Sequence, residues 1–253
     1  LEQSLGHALF KPAGRGLALT EAGQTALELA EQIFALGEQL HTAVGDAASQ
    51  NRVRLVVGIS DGLPKFAVRD LLGPALSEPN LRLLCHEDGF EDLLGSLALH
   101  RLDVVLSDRP APANPNLRLY SHPLGSSPLG WYAPKAWLAQ ARRDFPQCLS
   151  QVPVLLPTAQ SSVRLRIDQW FERHGVQPRV VGEFEDSALL ATFGASGMGV
   201  IPAAERLRDD LAQGYGLKWF APCDGVQEHF YAIGTARKVQ HPLVQRLLNA
   251  SVF

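Results

Sequence analysis

The sequence predicts an α/β protein of two lobes hung behind a long amphipathic helix, and three patterns predict it. Between Arg52 and Ser107, short β-branched runs alternate with helical periodicity in the order β-α-β-α-β, which signals a parallel sheet with helices on its faces. The pattern restarts after the proline-rich break Pro110-Ala-Pro-Ala-Asn-Pro115, so a second lobe follows the first. Ahead of both, the apolar residues Ala22, Ala26, Leu29, Ile33, Leu36, Leu40 and Ala43 recur at steps of four and three, a heptad seam.

In chain order, Leu1, Leu5 and Leu9 with Phe10 fit the apolar side of a short helix, and Gly6 can close a turn through a positive φ. Lys11 to Leu19 reads as two short strands around a glycine-rich tip. Thr20 suits the N-cap of the long helix, and Glu21 sets a negative charge against the positive helix end. A second stripe, Leu27, Ala30 and Phe34, widens the apolar side. That surface needs cover, either from its own domain or from a partner helix. Residues Gly45 to Asn51 are small and polar, a hinge composition.

Strands are predicted over Arg52 to Ser60, Leu81 to Glu87 and Leu102 to Ser107, with helices near Lys65 to Leu76 and Phe90 to His100. The second lobe offers strands near Leu117 to Tyr120, Leu129 to Tyr132, Val152 to Leu156, Val180 to Glu183 and Gly199 to Ile201. Its helices fall near Ser162 to His174, Ser187 to Gly194 and Ala203 to Gln213. A strand near Glu228 to Ile233 and a helix from Pro242 come last, with Leu243, Val244, Leu247 and Leu248 on one side of the helix.

Composition narrows the function. With 46% hydrophobic and 19% charged residues in 253, the chain can bury an ordinary core, and a net charge of −3 fits neither a nucleic-acid coat nor a membrane-surface protein. Cys85, Cys148 and Cys223 are odd in number, far apart and outside any CxxC pair, so reduced thiols filling cores are expected and a structural zinc is not. Trp131 and Trp170 are expected to line cores as well. The run Ala188 to Ala204 carries Gly194, Gly197, Gly199 and Pro202 and reads as helix, turn and strand, not a membrane span. No P-loop, HExxH or EF-hand pattern occurs, so no cofactor and no metal is expected.

Gly58-Ile-Ser60-Asp-Gly62 matches a nucleophile elbow and follows a predicted strand, which keeps a serine hydrolase as the enzymatic alternative. Against it, this strand opens the α/β region and no HGGG-like oxyanion segment appears. A stand-alone solute-binding protein is a second alternative, but such a protein has no use for a heptad helix and a wing.

The opening LExxLGxxLF followed by GRGLALTEAG resembles the LysR-type transcriptional regulators. In that family the first segment ends the DNA-recognition helix of a winged helix-turn-helix, and the second is the wing and the start of the linker helix. The resemblance covers the whole chain. It implies the C-terminal part of a winged helix-turn-helix over 1–19, a linker dimerisation helix and hinge over 20–51, effector lobe I over 52–112 plus 215–253, and lobe II over 113–214. The effector half of such regulators is built like a periplasmic binding protein, with a cleft between the lobes.

LFKPAGRG, LALHRLDVVLSD, GEFEDSALLATFGA and VQHPLVQR are similar to segments of an activator branch that responds to sodium or lithium. The likeness implies a cytoplasmic non-enzyme, a homodimer or homotetramer joined through Ala22, Ala26, Leu29, Ile33, Leu36 and Leu40. It further implies double-stranded operator DNA and RNA polymerase as partners, a small-molecule or monovalent-cation effector, and no membrane. Lys11 and Arg15 are its DNA contacts; Pro12 stands where the family usually has a basic residue, which leaves Arg15 the better phosphate ligand. With Met198 the only methionine and a start in mid-element, the first helices of the DNA-binding domain are expected to be missing. Two cations against Glu2, Glu21, Glu28, Glu31 and Glu38 then predict weak DNA binding by this chain alone.

Ligands of open α/β sheets sit beyond the carboxyl ends of the strands. Those ends present Ser60, Asp61, Glu87, Asp88 and Asp108 in the first lobe, and Thr158, Ser161, Ser162, Glu183, Glu185 and Asp186 in the second. An anion would call for Arg or Lys there, whereas a hard cation takes carboxylate and hydroxyl oxygens. The competing reading makes Asp61, Asp88 and Asp186 helix N-caps and nothing more.

Overall fold

The computed structural model describes residues 1–13, 16–27, 29–30, 33, 37, 40, 52–113, 119–235 and 241–249. Arg15, Leu36, Phe34, Ala43 and the 45–51 hinge lie outside the described residues. No helix among the described residues is long and apolar enough to cross a membrane.

The chain opens with α1 (Glu2–Leu5), closed by Gly6 in the left-handed region at φ 72°. Next come β1 (Phe10–Ala13) and β2 (Gly16–Leu19), antiparallel with Phe10 opposite Leu19. The long helix α2 follows, its described positions being 21–27, 29–30, 33, 37 and 40. Thr20 caps it as expected: its hydroxyl accepts the Gly23 N–H at 3.0 Å and donates to the Ala8 carbonyl at 2.7 Å. Gly23 is required there, because a Cβ would lie 2.0 Å from the Leu9 carbonyl oxygen. On the seam, Ala22 and Ala26 are half-buried, whereas Leu29, Ile33 and Leu40 are 55%, 68% and 65% exposed.

The body then runs β3 (Val53–Ser60), α3 (Lys65–Leu76), β4 (Leu81–Asp88), α4 (Phe90–Ala98) and β5 (Val104–Ser107). It continues through β6 (Leu119–Ala133), α5 (Lys135–Ala141), β7 (Pro153–Pro157), α6 (Arg164–His174), β8 (Arg179–Phe184) and α7 (Ser187–Ala195). Last come β9 (Ile201–Ala204), α8 (Arg208–Tyr215), β10 (Lys218–Thr235) and α9 (Pro242–Asn249). As the β-α-β-α-β pattern requires, β3 pairs in parallel with both β4 and β5. The main sheet has the order β4-β3-β5-β10-β6-β9, and β7 pairs in parallel with β8. A single parallel bridge from Val154 to Val200 ties that second ladder to the edge of the first.

Several elements differ from expectation. The strands expected near Leu117 to Tyr120, whose first two residues lie outside the described residues, and Leu129 to Tyr132 are one, β6, and the last strand begins ten residues early as β10. The strand expected near Gly199 to Ile201 is β9, and it extends to Ala204, so the helix expected from Ala203 begins at Arg208 as α8. These long partners run antiparallel through both lobes: β10 meets β5 at Tyr231 opposite Ser107, and β6 meets β9 at Leu129 opposite Ala204. Pro123 and Pro128 of β6 sit opposite Tyr231 and Gln227, where the register shifts, so neither interrupts a regular ladder. Helix α5 is an addition that the sequence reading did not contain.

Three apolar clusters hold the body. One joins β3, α3 and α9 to Leu190, Ile201 and Leu211, so it is continuous from one lobe to the other. A second packs Trp131 against Trp170 at 5.8 Å between ring centres and against Phe171 at 5.6 Å, confirming both tryptophans as core. The third lies under α4, with Val56, Val105 and Ile233. Cys148 and Cys223 are buried as expected, but Cys85 is exposed. It lies on β4, the edge strand, whose last four residues face outward.

Candidate functional site

The three parallel strands β3, β4 and β5 end together, and the loops before α6 and α7 close over them. Between these loops and strand ends lies a cavity of 270 Å³ whose walls include Ser60, Asp61, Asp108, Arg109, Ser161 and Glu185. Five of the eleven residues expected at the strand ends, Ser60, Asp61, Asp108, Ser161 and Glu185, therefore meet in one place.

The cavity is bounded by contacts that cross between lobes. Asp108 Oδ2 accepts the Ser162 N–H at 3.0 Å, and the Ser162 hydroxyl donates to the Asp108 carbonyl at 3.2 Å. Arg109 donates to the Gln160 carbonyl at 3.3 Å while its guanidinium lies 4.4 Å from the centre of the Phe90 ring, a cation–π contact. Ser187 donates to the Leu63 carbonyl at 3.0 Å. Beside the cavity, Lys65 of α3 pairs with Asp186 at 2.9 Å and with Glu87. Arg69 reaches Asp210 of α8 at 3.0 Å.

The field is negative. Burial lifts the Asp61 carboxyl above the usual carboxylate range, and Glu185 and Glu87 add to the lift. Burial also works against the Asp186 charge, but hydrogen bonds from Lys65 and the Leu189 N–H more than offset it and hold that carboxyl low. Deeper in, Glu228 on β10 is 6% exposed, and burial pushes its carboxyl up to about 8 with help from Asp108.

The other expected residues separate. Glu87 and Asp186 converge on Lys65. Asp88 accepts the N–H of its neighbour Gly89 at 2.8 Å. Glu183 is held by Arg164, which also grips Asp168 at 3.0 Å. The Thr158 hydroxyl is buried with no hydrogen-bond partner among the described residues. Of the three proposed N-caps, only Asp186 is one, accepting the Leu189 N–H at 2.6 Å; Pro64 and Gly89 occupy the cap positions of α3 and α4. Lys65, Arg109 and Glu228 were missed. Lys65 and Arg109 lie within a few residues of the strand ends already singled out.

Asp186 combines a cap with a cross-lobe ion pair, and the two roles are separable. Asp186→Ala is expected to cost about 1–2 kcal/mol in urea unfolding, and Asp186→Asn less, because an asparagine keeps the cap. Equal losses in the two variants would show that the charge, not the cap, carries the effect.

Among the described residues no group of three or more His, Cys, Asp and Glu side chains is arranged to hold a metal ion. Ser60 ends the β3 ladder opposite Asp88, and its carbonyl accepts the Leu63 N–H in the turn that leads to α3, which is where a nucleophile elbow would lie. Among the described residues no histidine lines its cavity, so the base that such an elbow requires is not met.

Two α/β lobes joined by long shared strands, with a polar cavity between them and bonds across its mouth, have the architecture of a two-lobe ligand-binding domain. The profile of the LysR substrate binding domain matches residues 48–252. The chain is 30% identical over 250 residues to the transcriptional activator protein NhaR of Escherichia coli strain K12, covering 98% of this chain and 82% of that one. HinK from Pseudomonas aeruginosa, a LysR family transcriptional regulator, matches at a TM-score of 0.61 with 16% identity over 99% of this chain and 84% of its own. Full-length CbnR complexed with its target DNA matches at 0.62 with 18% identity, over 98% and 84%. The chain belongs to the LysR-type transcriptional regulators and is similar to the activator NhaR.

Proposed function

We propose that the cleft binds a small effector and that binding changes how copies of the chain, joined through α2, are arranged on operator DNA. The observation that carries this reading is the cavity bounded by both lobes, with Ser60, Asp61 and Asp108 on one side and Ser161 and Glu185 on the other. A ligand held by both lobes favours one of their arrangements, and only by its difference in affinity for the two. We divide the work as 1–19 for DNA, with Lys11 and Arg15 as phosphate contacts, 20–51 for self-association, and 52–112 with 215–253 against 113–214 for effector binding, β6 and β10 being shared. The setting is the cytoplasm, with operator DNA and RNA polymerase as partners and activation as the output.

For the effector we favour a monovalent cation, sodium or lithium, because Ser60, Asp61, Ser161 and Glu185 offer hard oxygen donors in a negative field. Among the described residues their carboxylates do not converge as a multivalent metal would require, so the cation would be held by hydroxyl and carboxylate oxygens together. Thermal unfolding in sodium, lithium and potassium chlorides at matched ionic strength tests it. Sodium and lithium at about ten times Kd are expected to stabilise by about 1.4 kcal/mol beyond potassium, and Asp61→Asn to abolish the difference. Equal curves in the three salts would remove the cation reading.

A further inference from the structure

Beneath the cleft lies a second cavity, of 120 Å³, that the mechanism above does not use. It shares Gly62, Ser161 and Glu185 with the cleft but is otherwise apolar, with Phe66 of α3 facing Phe184, Leu190 of α7 and Leu211 and Tyr215 of α8. Of the polar groups on its wall, Ser161 and Glu185 also face the cleft, and the Tyr215 ring packs edge-on against Phe66. Lys65 is committed to Glu87 and Asp186, and Ser187 to the Leu63 carbonyl. Glu228 also lines the cavity, more than nine-tenths buried, and its carboxyl group has no hydrogen-bond or ion-pair partner among the described residues. Its place on β10 is fixed by pairing with Ser127 where the two long strands cross between lobes.

A buried carboxyl without a partner is costly in either state, and most costly when charged. An anionic ligand would be repelled by Glu228, Glu185 and Asp108. A hydrocarbon would fill the space and leave the carboxyl as it is. A cation on an apolar body satisfies both features at once, since a charge-assisted bond gains strength where apolar walls hold water back. Size narrows the body: an apolar cavity of about 150 Å³ accepts benzene. We propose that this cavity is a second ligand site that takes a small hydrophobic amine, its hydrocarbon among Phe66, Phe184, Leu190 and Tyr215 and its ammonium on Glu228. Because α3 and α7 line the cavity from different lobes, such a ligand touches the same lobe equilibrium as the cleft effector, and it does so whatever the cleft binds. Burial lifting the Glu228 carboxyl is the expected condition of a group awaiting a cationic partner.

Titration calorimetry on the whole chain, with benzylamine as probe and toluene and benzoate as comparators, tests the assignment. Benzylamine is expected to bind, benzoate not to, and Glu228→Gln to weaken benzylamine by about tenfold or more while sparing toluene. Ala191→Leu, which fills the cavity from α7, is expected to weaken benzylamine and toluene alike. No benzylamine binding to the unaltered chain, or binding that neither substitution changes, overturns the site. Neither result bears on the salt comparison, so the cleft reading stands or falls separately.

Discussion

Replacing Glu228 with glutamine is expected to stabilise the protein by on the order of 4 kcal/mol at pH 8 and by under about 1 kcal/mol at pH 5. The sign follows from where the proton is held. In the unfolded chain this carboxyl ionises near its ordinary value of 4.5, whereas in the folded protein burial, and then Asp108, hold it protonated up to about 8. Between those values the folded state binds more protons than the unfolded state, so stability falls as pH rises from about 4.5 to about 8 and is level below and above. Glutamine has no proton to lose and so removes that slope. The charged group bearing on the carboxyl is Asp108, which repels it; Lys65 and Glu185 line the same cavity, and Lys65 is already paired with Asp186. Urea unfolding of both proteins across this pH range decides the matter: parallel profiles would mean that the Glu228 carboxyl is not kept neutral by the fold.

Glu228 also marks where the sequence could have been read further. Val226, Glu228, Phe230 and Ala232 alternate with Gln227, His229 and Tyr231, and all four of the first set are buried. A glutamate in the apolar phase of a strand is a visible anomaly, but it has meaning only once the strand is known to run through. The parallel unit was legible because its signals are local: hydrophobic runs and helical spacing placed Lys65–Leu76 at its observed bounds and put Ser60, Asp61 and Asp108 at converging strand ends. The long strands were not, because Pro123, Gly125 and Pro128 are breakers by every local rule. Their tolerance comes from register shifts in a partner about a hundred residues away. Arg109 and Lys65 escaped for a related reason. Their roles depend on what the second lobe brings opposite, the Gln160 carbonyl and Asp186.

Ile33→Lys combined with Leu40→Lys is expected to convert the chain from a dimer or tetramer to a monomer in light scattering, with a fold that stays intact and an unfolding curve that no longer depends on protein concentration. Both parts rest on the same fact: Leu29, Ile33 and Leu40 lie on a helix fixed at its N-terminus by Thr20, yet they are more than half exposed within their own chain. Residues that contact little in the monomer contribute little to its stability, so charges there are tolerated by the fold. In a helix pair the same positions are buried on both copies, and each side chain returned to water forfeits about 1.5–3 kcal/mol. Two substitutions act four times in a symmetric pair, so the dissociation constant is expected to rise by a factor on the order of 10⁴ or more, before the added cost of burying lysines. A variant that keeps the parent mass would move the joint away from α2. An unaltered chain that is itself a monomer would leave the seam without a partner, and effector binding would then have no assembly to rearrange.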